Sequence, residues 1–181
     1  MTIEQANDIS NKFNRFIKRY EAKYAIQFNK ALQLQHQQYI ESGTLMAVDA
    51  MPIYDVLESL YQTASVVWAH QAQLQIRSLK SRQPMGFSER IVSLMKKYFG
   101  IDLLNIAQQI TDTTKRVISE VLANNIGASF NDIVRKLESP ELTRVRARLI
   151  ARTETVSAAN AAAVIGAKAV SYTHPEPTRP Y

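Results

Sequence analysis

The sequence predicts an all-α fold: an elongated hairpin of two long helices, a smaller helical unit, then a disordered, proline-rich C-terminal tail. Two observations predict it. Apolar residues recur at three- and four-residue spacing over stretches of about thirty residues, which lays one face of a helix on a core. Glycine, serine and proline clusters punctuate those stretches, and neither a convincing strand nor an internal repeat is present.

Ile9, Phe13, Phe16, Ile17, Tyr20, Tyr24, Phe28 and Ala31 define a first helix from about Ile3 to Ile40, closed by Ser42-Gly43. At about 1.5 Å per residue it would run about 55 Å. Met51-Pro52 starts the second, because proline suits the first helical turn. It continues through Val56, Leu60, Ala64, Val67 and Trp68 to about Lys80, and the pair forms an antiparallel hairpin over residues 1–81. Trp68, Tyr61 and the N-terminal Phe and Tyr residues read as its core.

Arg82 to Phe87 is a breaker cluster and the boundary to a second unit, residues 88–170. There Ser88 caps a short helix, Glu89 to Phe99, stopped by Gly100. Leu103, Ile106, Ala107, Ile110 and Ile118 mark the next helix, with a candidate kink at Thr111–Thr114 and a stop at Gly127. Ser129 with Asp132 is an N-cap pair for a helix ending at Leu137. Ser139-Pro140-Glu141 opens the last helix with a cap, a first-turn proline and an acid at the positive end. From Ser171 onward, three of the six prolines fall in the last seven residues. This tail, 171–181, cannot continue a helix. It reads as a truncation or artefact and is assigned no function.

The net charge of +6 is unevenly placed. Residues 1–60 carry six basic and seven acidic side chains, whereas residues 61–100 carry six basic against Glu89 alone. Arg77, Lys80, Arg82, Lys96 and Lys97, with Arg144, are therefore candidate contacts to nucleic acid, non-specific and salt-dependent. The alternative is that these are solvated helix faces, or pair with acids in an oligomer. Without cysteine there is neither a disulfide framework nor a thiolate metal site. No apolar run is long enough to span a membrane, and Met1–Gln5 does not open a signal peptide. A soluble protein made in a cytoplasm is expected.

The last helix carries the most informative stretch, Arg146 to Thr155. Val145, Leu149, Val156, Ala159 and Ala163 recur at helical period and are expected to face the core. Arg144, Arg148 and Arg152 form one basic stripe. Ala158, Ala159, Ala161, Ala162 and Ala163 let another backbone approach closely. Such a surface suits tight, polar-keyed contact rather than catalysis. Arg146, Arg148, Arg152, Thr153, Glu154 and Asn160 are the candidate partner-contact residues, with Asn160 expected on the packed side. A second role for Arg152, Glu154 and Asn160 is a half-buried polar network docking this helix on Thr111–Leu122. On that reading Arg152, paired with Asp112 or with Glu154 of another copy, matters more to stability than Arg144.

Three pieces of this half resemble the conserved segment of phage head morphogenesis proteins, the Mu F-like minor capsid family. They are Ile110 to Thr114 leading into Val117–Leu122, Gly127 to Leu137, and Arg146-Ala147 with Ile150 to Thr155 and Asn160-Ala161. The resemblance covers about residues 101–168; their order and spacing are its specific part. It implies a non-enzymatic minor head protein of a tailed phage or prophage, inside the virion or at the portal vertex. Its implied partners are the portal and other head proteins, with packaged DNA and self-association as further contacts. By that resemblance a β-containing segment is expected after this helix, and residues 171–181 do not read as its start. Two other readings stay open: a helical nucleic-acid-binding module, and the front of a protein with a catalytic C-terminal domain.

No catalytic constellation stands out. His36, His70 and His174 lack metal-site spacing and read as exposed or interface histidines. Neither a phosphate loop nor a nucleophile elbow is present, so no cofactor, metal or catalytic residue is expected.

Overall fold

The computed structural model describes residues 3–77 and 87–171. The boundary segment 82–86 and the tail from residue 172 lie outside the described residues. The described chain is all-α, with helices α1 (Ile3–Ser42), α2 (Met51–Arg77), α3 (Phe87–Ala123), α4 (Phe130–Leu137) and α5 (Pro140–Ser171), and no strand among these residues. The forty residues of α1 extend about 60 Å at about 1.5 Å per residue. A compact chain of this length has a radius of gyration of about 16 Å, or a diameter of about 40 Å. The molecule is elongated because α1 is.

Helix ends follow the local chemistry. Gly43 takes φ 68°, the left-handed conformation open to glycine, and its N–H donates to the Tyr39 carbonyl at 2.8 Å. A 3-10 turn, Leu45–Ala47, follows, and Asp49 Oδ1 accepts from the Met51 N–H at 3.2 Å to open α2. At α4 the Ser129 hydroxyl accepts from the Asp132 N–H at 3.2 Å and donates to the Asp132 carboxylate at 2.6 Å. Gly127, at φ 86°, closes the turn before it.

The α1–α2 hairpin is antiparallel. Tyr24 donates to the Ser59 carbonyl at 3.0 Å, while nearer the start of α1 Phe13 and Phe16 pack on Trp68 at ring-centroid distances of 4.8 and 5.1 Å. Helix α5 lies against both members. It runs antiparallel to α1, with Thr143 donating to Asn29 at 2.7 Å and Arg148 to Glu21 at 2.8 Å. It runs parallel to α2, where Tyr61 donates to Glu154 at 3.0 Å and Ser65 to the Ala158 carbonyl at 3.3 Å. Helix α3 completes a four-helix bundle. One core runs through both halves of the sequence: Tyr24, Phe28, Leu57 and Leu60 from the hairpin meet Ala107 of α3 and Ala147, Ala151, Ala158 and Ala159 of α5. A second cluster around Val48, Ile118 and Leu137 closes the end where α1, α3 and α4 meet.

Two expectations need correction. Gly100 does not stop a helix, because α3 is continuous from Phe87 to Ala123. One interior glycine costs only about 1 kcal/mol against alanine, which the helical turns on either side outweigh. The buried face of α5 also departs in part from the expected one. Ala159 is buried and Val156 half-buried as expected, but Val145 and Leu149 are 66% and 61% exposed and Ala163 is exposed too, while Thr143, Ala147, Ala151, Thr155, Ala158 and Ala162 are buried. Aromatic side chains from α1 and α2 already fill the interior, so close packing favours the small face of α5.

Candidate functional site

Helix α5 divides its polar residues between two faces. On the inner face, Arg146 Nη1 donates to Thr114 Oγ1 at 2.8 Å and Nη2 to the Ile110 carbonyl at 2.5 Å. The guanidinium is half-buried. Among the described residues no carboxylate lies within ion-pair distance of it. Burial, then the nearby Arg116, pushes its pKa down. Thr114 Oγ1 also donates back to Ile110 at 3.0 Å, one of three threonine hydroxyls that bond within α3 at Thr111–Thr114.

Beside this contact, His36 is buried, and its Nδ1–H donates to the Leu137 carbonyl at 2.8 Å. A carbonyl only accepts, so the proton sits on Nδ1, and Nε2 is left without a partner. Burial lowers the His36 pKa, the bond to Leu137 partly opposes this, and Arg146 lowers it further. His36 is therefore a neutral core residue, not the exposed or interface histidine the sequence suggested. The neighbouring Gln35 donates to the Asp49 carbonyl at 2.6 Å and to Thr111 Oγ1 at 2.7 Å. The side chain of His70 and all of His174 lie outside the described residues.

About two turns beyond Arg146 along α5, Glu154 is half-buried and accepts from the Tyr61 hydroxyl at 3.0 Å. Burial raises the Glu154 pKa, with the tyrosine bond opposing. The Tyr61 pKa is raised by burial and by the carboxylate.

The outer face holds the remaining candidates. Arg144, Arg148, Arg152, Thr153 and Asn160 are all exposed, so Asn160 is not on the packed side. Arg152 makes no ion pair among the described residues, and Asp112, its expected partner, is exposed and accepts instead from Gln108 at 2.9 Å. The α5-to-α3 key is thus Arg146 rather than Arg152. Helical spacing explains the exchange: Arg146 lies three residues from the buried Thr143 and four from the half-buried Ile150, on the side of α5 that meets α3, whereas Arg152 lies four from the exposed Arg148 on the groove side.

Arg148 and Arg152 line an open groove of about 450 Å³ between α5 and α1, with Ile17, Lys18, Glu21 and Ala25 among the opposing residues. Sequence reasoning missed the α1 side because residues 1–60 nearly cancel in charge. The signal lay in the local run Lys12, Arg15, Lys18, Arg19 and Lys23. Of the other cations, Lys80 and Arg82 lie outside the described residues, as do the side chains of Arg77, Lys96 and Lys97.

Among the described residues, no group of three or more His, Asp or Glu could hold a metal ion, and no helix is long and apolar enough to cross a membrane. No family model, curated protein or solved structure matches the chain.

Proposed function

We propose that the chain is a non-enzymatic minor head protein of a tailed phage or prophage, an adhesive helical component of procapsid assembly at or near the portal. The supporting observation is spatial. The three pieces that carry the resemblance converge: Ile110 and Thr114 of the first accept from Arg146 of the third, and Leu137, ending the second, accepts from His36 next to them. The three pieces, separated in sequence, thus meet at one structural key, which supports reading them as one unit. Outside that key, α5 presents charge and aliphatic surface to partners. In this proposal the protein resides in the virion, and cations of segment 77–97 with Arg144 add non-specific DNA contact.

Co-expression with the portal and scaffolding proteins encoded beside it in its source genome tests the reading. The chain is expected to sediment with assembled procapsids. A genome neighbourhood without head genes, or procapsids that form without incorporating the chain, overturns it. For the DNA contact, affinity is expected to fall steeply with salt, and to lose part of that slope when Arg77, Lys80, Arg82, Lys96 and Lys97 become glutamine.

A further inference from the structure

The α1–α5 groove combines three properties that the fold does not consume. Its floor is small and apolar, made by Ile17, Ala22 and Ala25, and its rim carries Lys18, Arg148 and Arg152. Among the described residues only one of these cations makes an ion pair: Arg148 uses Nε on Glu21, and its side chain still remains 76% exposed. Lys18 and Arg152 pair with no carboxylate among the described residues. Next to the rim on α5 stand Val145 and Leu149, two of the large hydrophobic residues the structure leaves outside. Leu149 lies three residues from Arg152 and four from Val145, so all three share one side of the helix.

We infer that this groove is a docking site for an acidic amphipathic helix of a partner protein. The charge sign selects an anion, since Glu21 is already neutralised by Arg148. The aliphatic pair then selects between anions. A phosphate backbone would use the cations and gain nothing from burying Val145 and Leu149. A helix with carboxylates on one stripe and aliphatic residues on the next uses both. Arg148 and Arg152 stand one turn apart, the spacing of carboxylates at i and i+4 on a facing helix. The alanines in the floor let a helix backbone settle close to α1. The assignment rests on the groove alone and does not require the head-protein reading.

The test uses the full chain and a labelled peptide of about 18 residues, long enough to hold a helix, built from Glu, Leu and Ala with glutamates at i and i+4 and leucines on the adjacent stripe. Fluorescence anisotropy is expected to show saturable binding that weakens at high salt. Lys18→Glu with Arg152→Glu should weaken it about tenfold or more, equivalent to about 1.4 kcal/mol. Leu149→Ser should weaken peptide binding several-fold and leave the affinity for a DNA duplex unchanged. All three residues are exposed, so circular dichroism melts of the variants should match the parent. The inference is overturned if the peptide does not bind, if either variant leaves its affinity unchanged, or if a lysine-for-glutamate control binds equally well. It is also overturned if the groove substitutions weaken only duplex DNA, which would make it a phosphate site.

Discussion

The inner and outer faces of α5 reverse the usual distribution on a surface helix. The inner face is built from alanine and threonine, with Arg146 and Glu154 placed among them; the outer face displays Val145 and Leu149 beside three arginines. In α1 and α2 the order is the ordinary one, with Tyr24, Phe28, Leu57 and Leu60 fully buried. The difference shows how the bundle is divided. The hairpin supplies the volume, and α5 supplies a thin surface that fits against it. Its orientation is then set by a few hydrogen bonds rather than by large interlocking side chains. Aliphatic residues left outside by this arrangement are free to meet something else.

The comparison breaks most readily by enlarging the inner face. Ala158 is fully buried and its carbonyl accepts from Ser65 at 3.3 Å. Ala158→Leu is expected to cost about 3 kcal/mol, as overpacked cores do. Leu149→Ala, on the outer face, should change stability by less than about 0.5 kcal/mol. Urea midpoints measured side by side decide this; similar losses would mean that the outer face is also packed.

Next in size are the arginines. Arg146→Ala is expected to cost about 2 kcal/mol, from the vacated space and the lost bonds, whereas Arg152→Ala should stay within about 0.5 kcal/mol. Arg146→Met sharpens the point. Thr114 Oγ1 already donates to Ile110, so removing the guanidinium strands no buried group, and it deletes a cation that lacks a counter-charge. Methionine should therefore cost less than about 1 kcal/mol, in line with apolar replacement of buried ions. A methionine variant as unstable as the alanine variant would show that the charge itself is needed.

Tyr61→Phe removes the donor to Glu154 and should cost about 1.5 kcal/mol at neutral pH, the range for hydrogen bonds to charged groups. Burial raises the folded-state pKa of Glu154 above its ordinary 4.5. Below that ordinary value the carboxyl is neutral in both states; as pH rises through the folded pKa, stability is lost. Without Tyr61 the loss grows. The gap between parent and variant is therefore expected to open with rising pH and to narrow in acid, which melts across a pH series would record.

The smallest effect is a difference in slope. The His36 pKa is lowered below its ordinary 6.5, so the unfolded chain takes up the proton first. The stability His36 contributes is present above 6.5 and is lost as pH falls through that value toward the folded pKa. His36→Asn keeps a donor for the Leu137 carbonyl and removes the titration, so its stability should fall less between neutral and mildly acidic pH. Parallel curves would place the acid sensitivity elsewhere.

Helix identities and most helix ends were legible because they depend on neighbours in sequence. Ser42-Gly43, the Ser129–Asp132 pair and Pro140 each act on backbone groups within a turn, and the three-and-four spacing of α1 needs no partner to be recognised. Gly100 was misread because a breaker's effect depends on what surrounds it. His36 was misread because its hydrogen-bond partner, Leu137, lies 101 residues away in sequence.

By itself, the sequence determined an all-α, elongated chain, the hairpin with its aromatic core, and a last helix carrying both small residues and fixed charges. Tertiary structure alone decided which face of that helix turned inward. Two stripes on α5 could have met the core, one aliphatic and one of alanine and threonine. The space left between the aromatic side chains of α1 and α2 fits the smaller one. That choice put Arg146 rather than Arg152 against α3 and brought Arg148 and Arg152 beside Lys18 of α1. Periodicity records the spacing of side chains along one helix, but the choice between two stripes depends on the volume available on its neighbours.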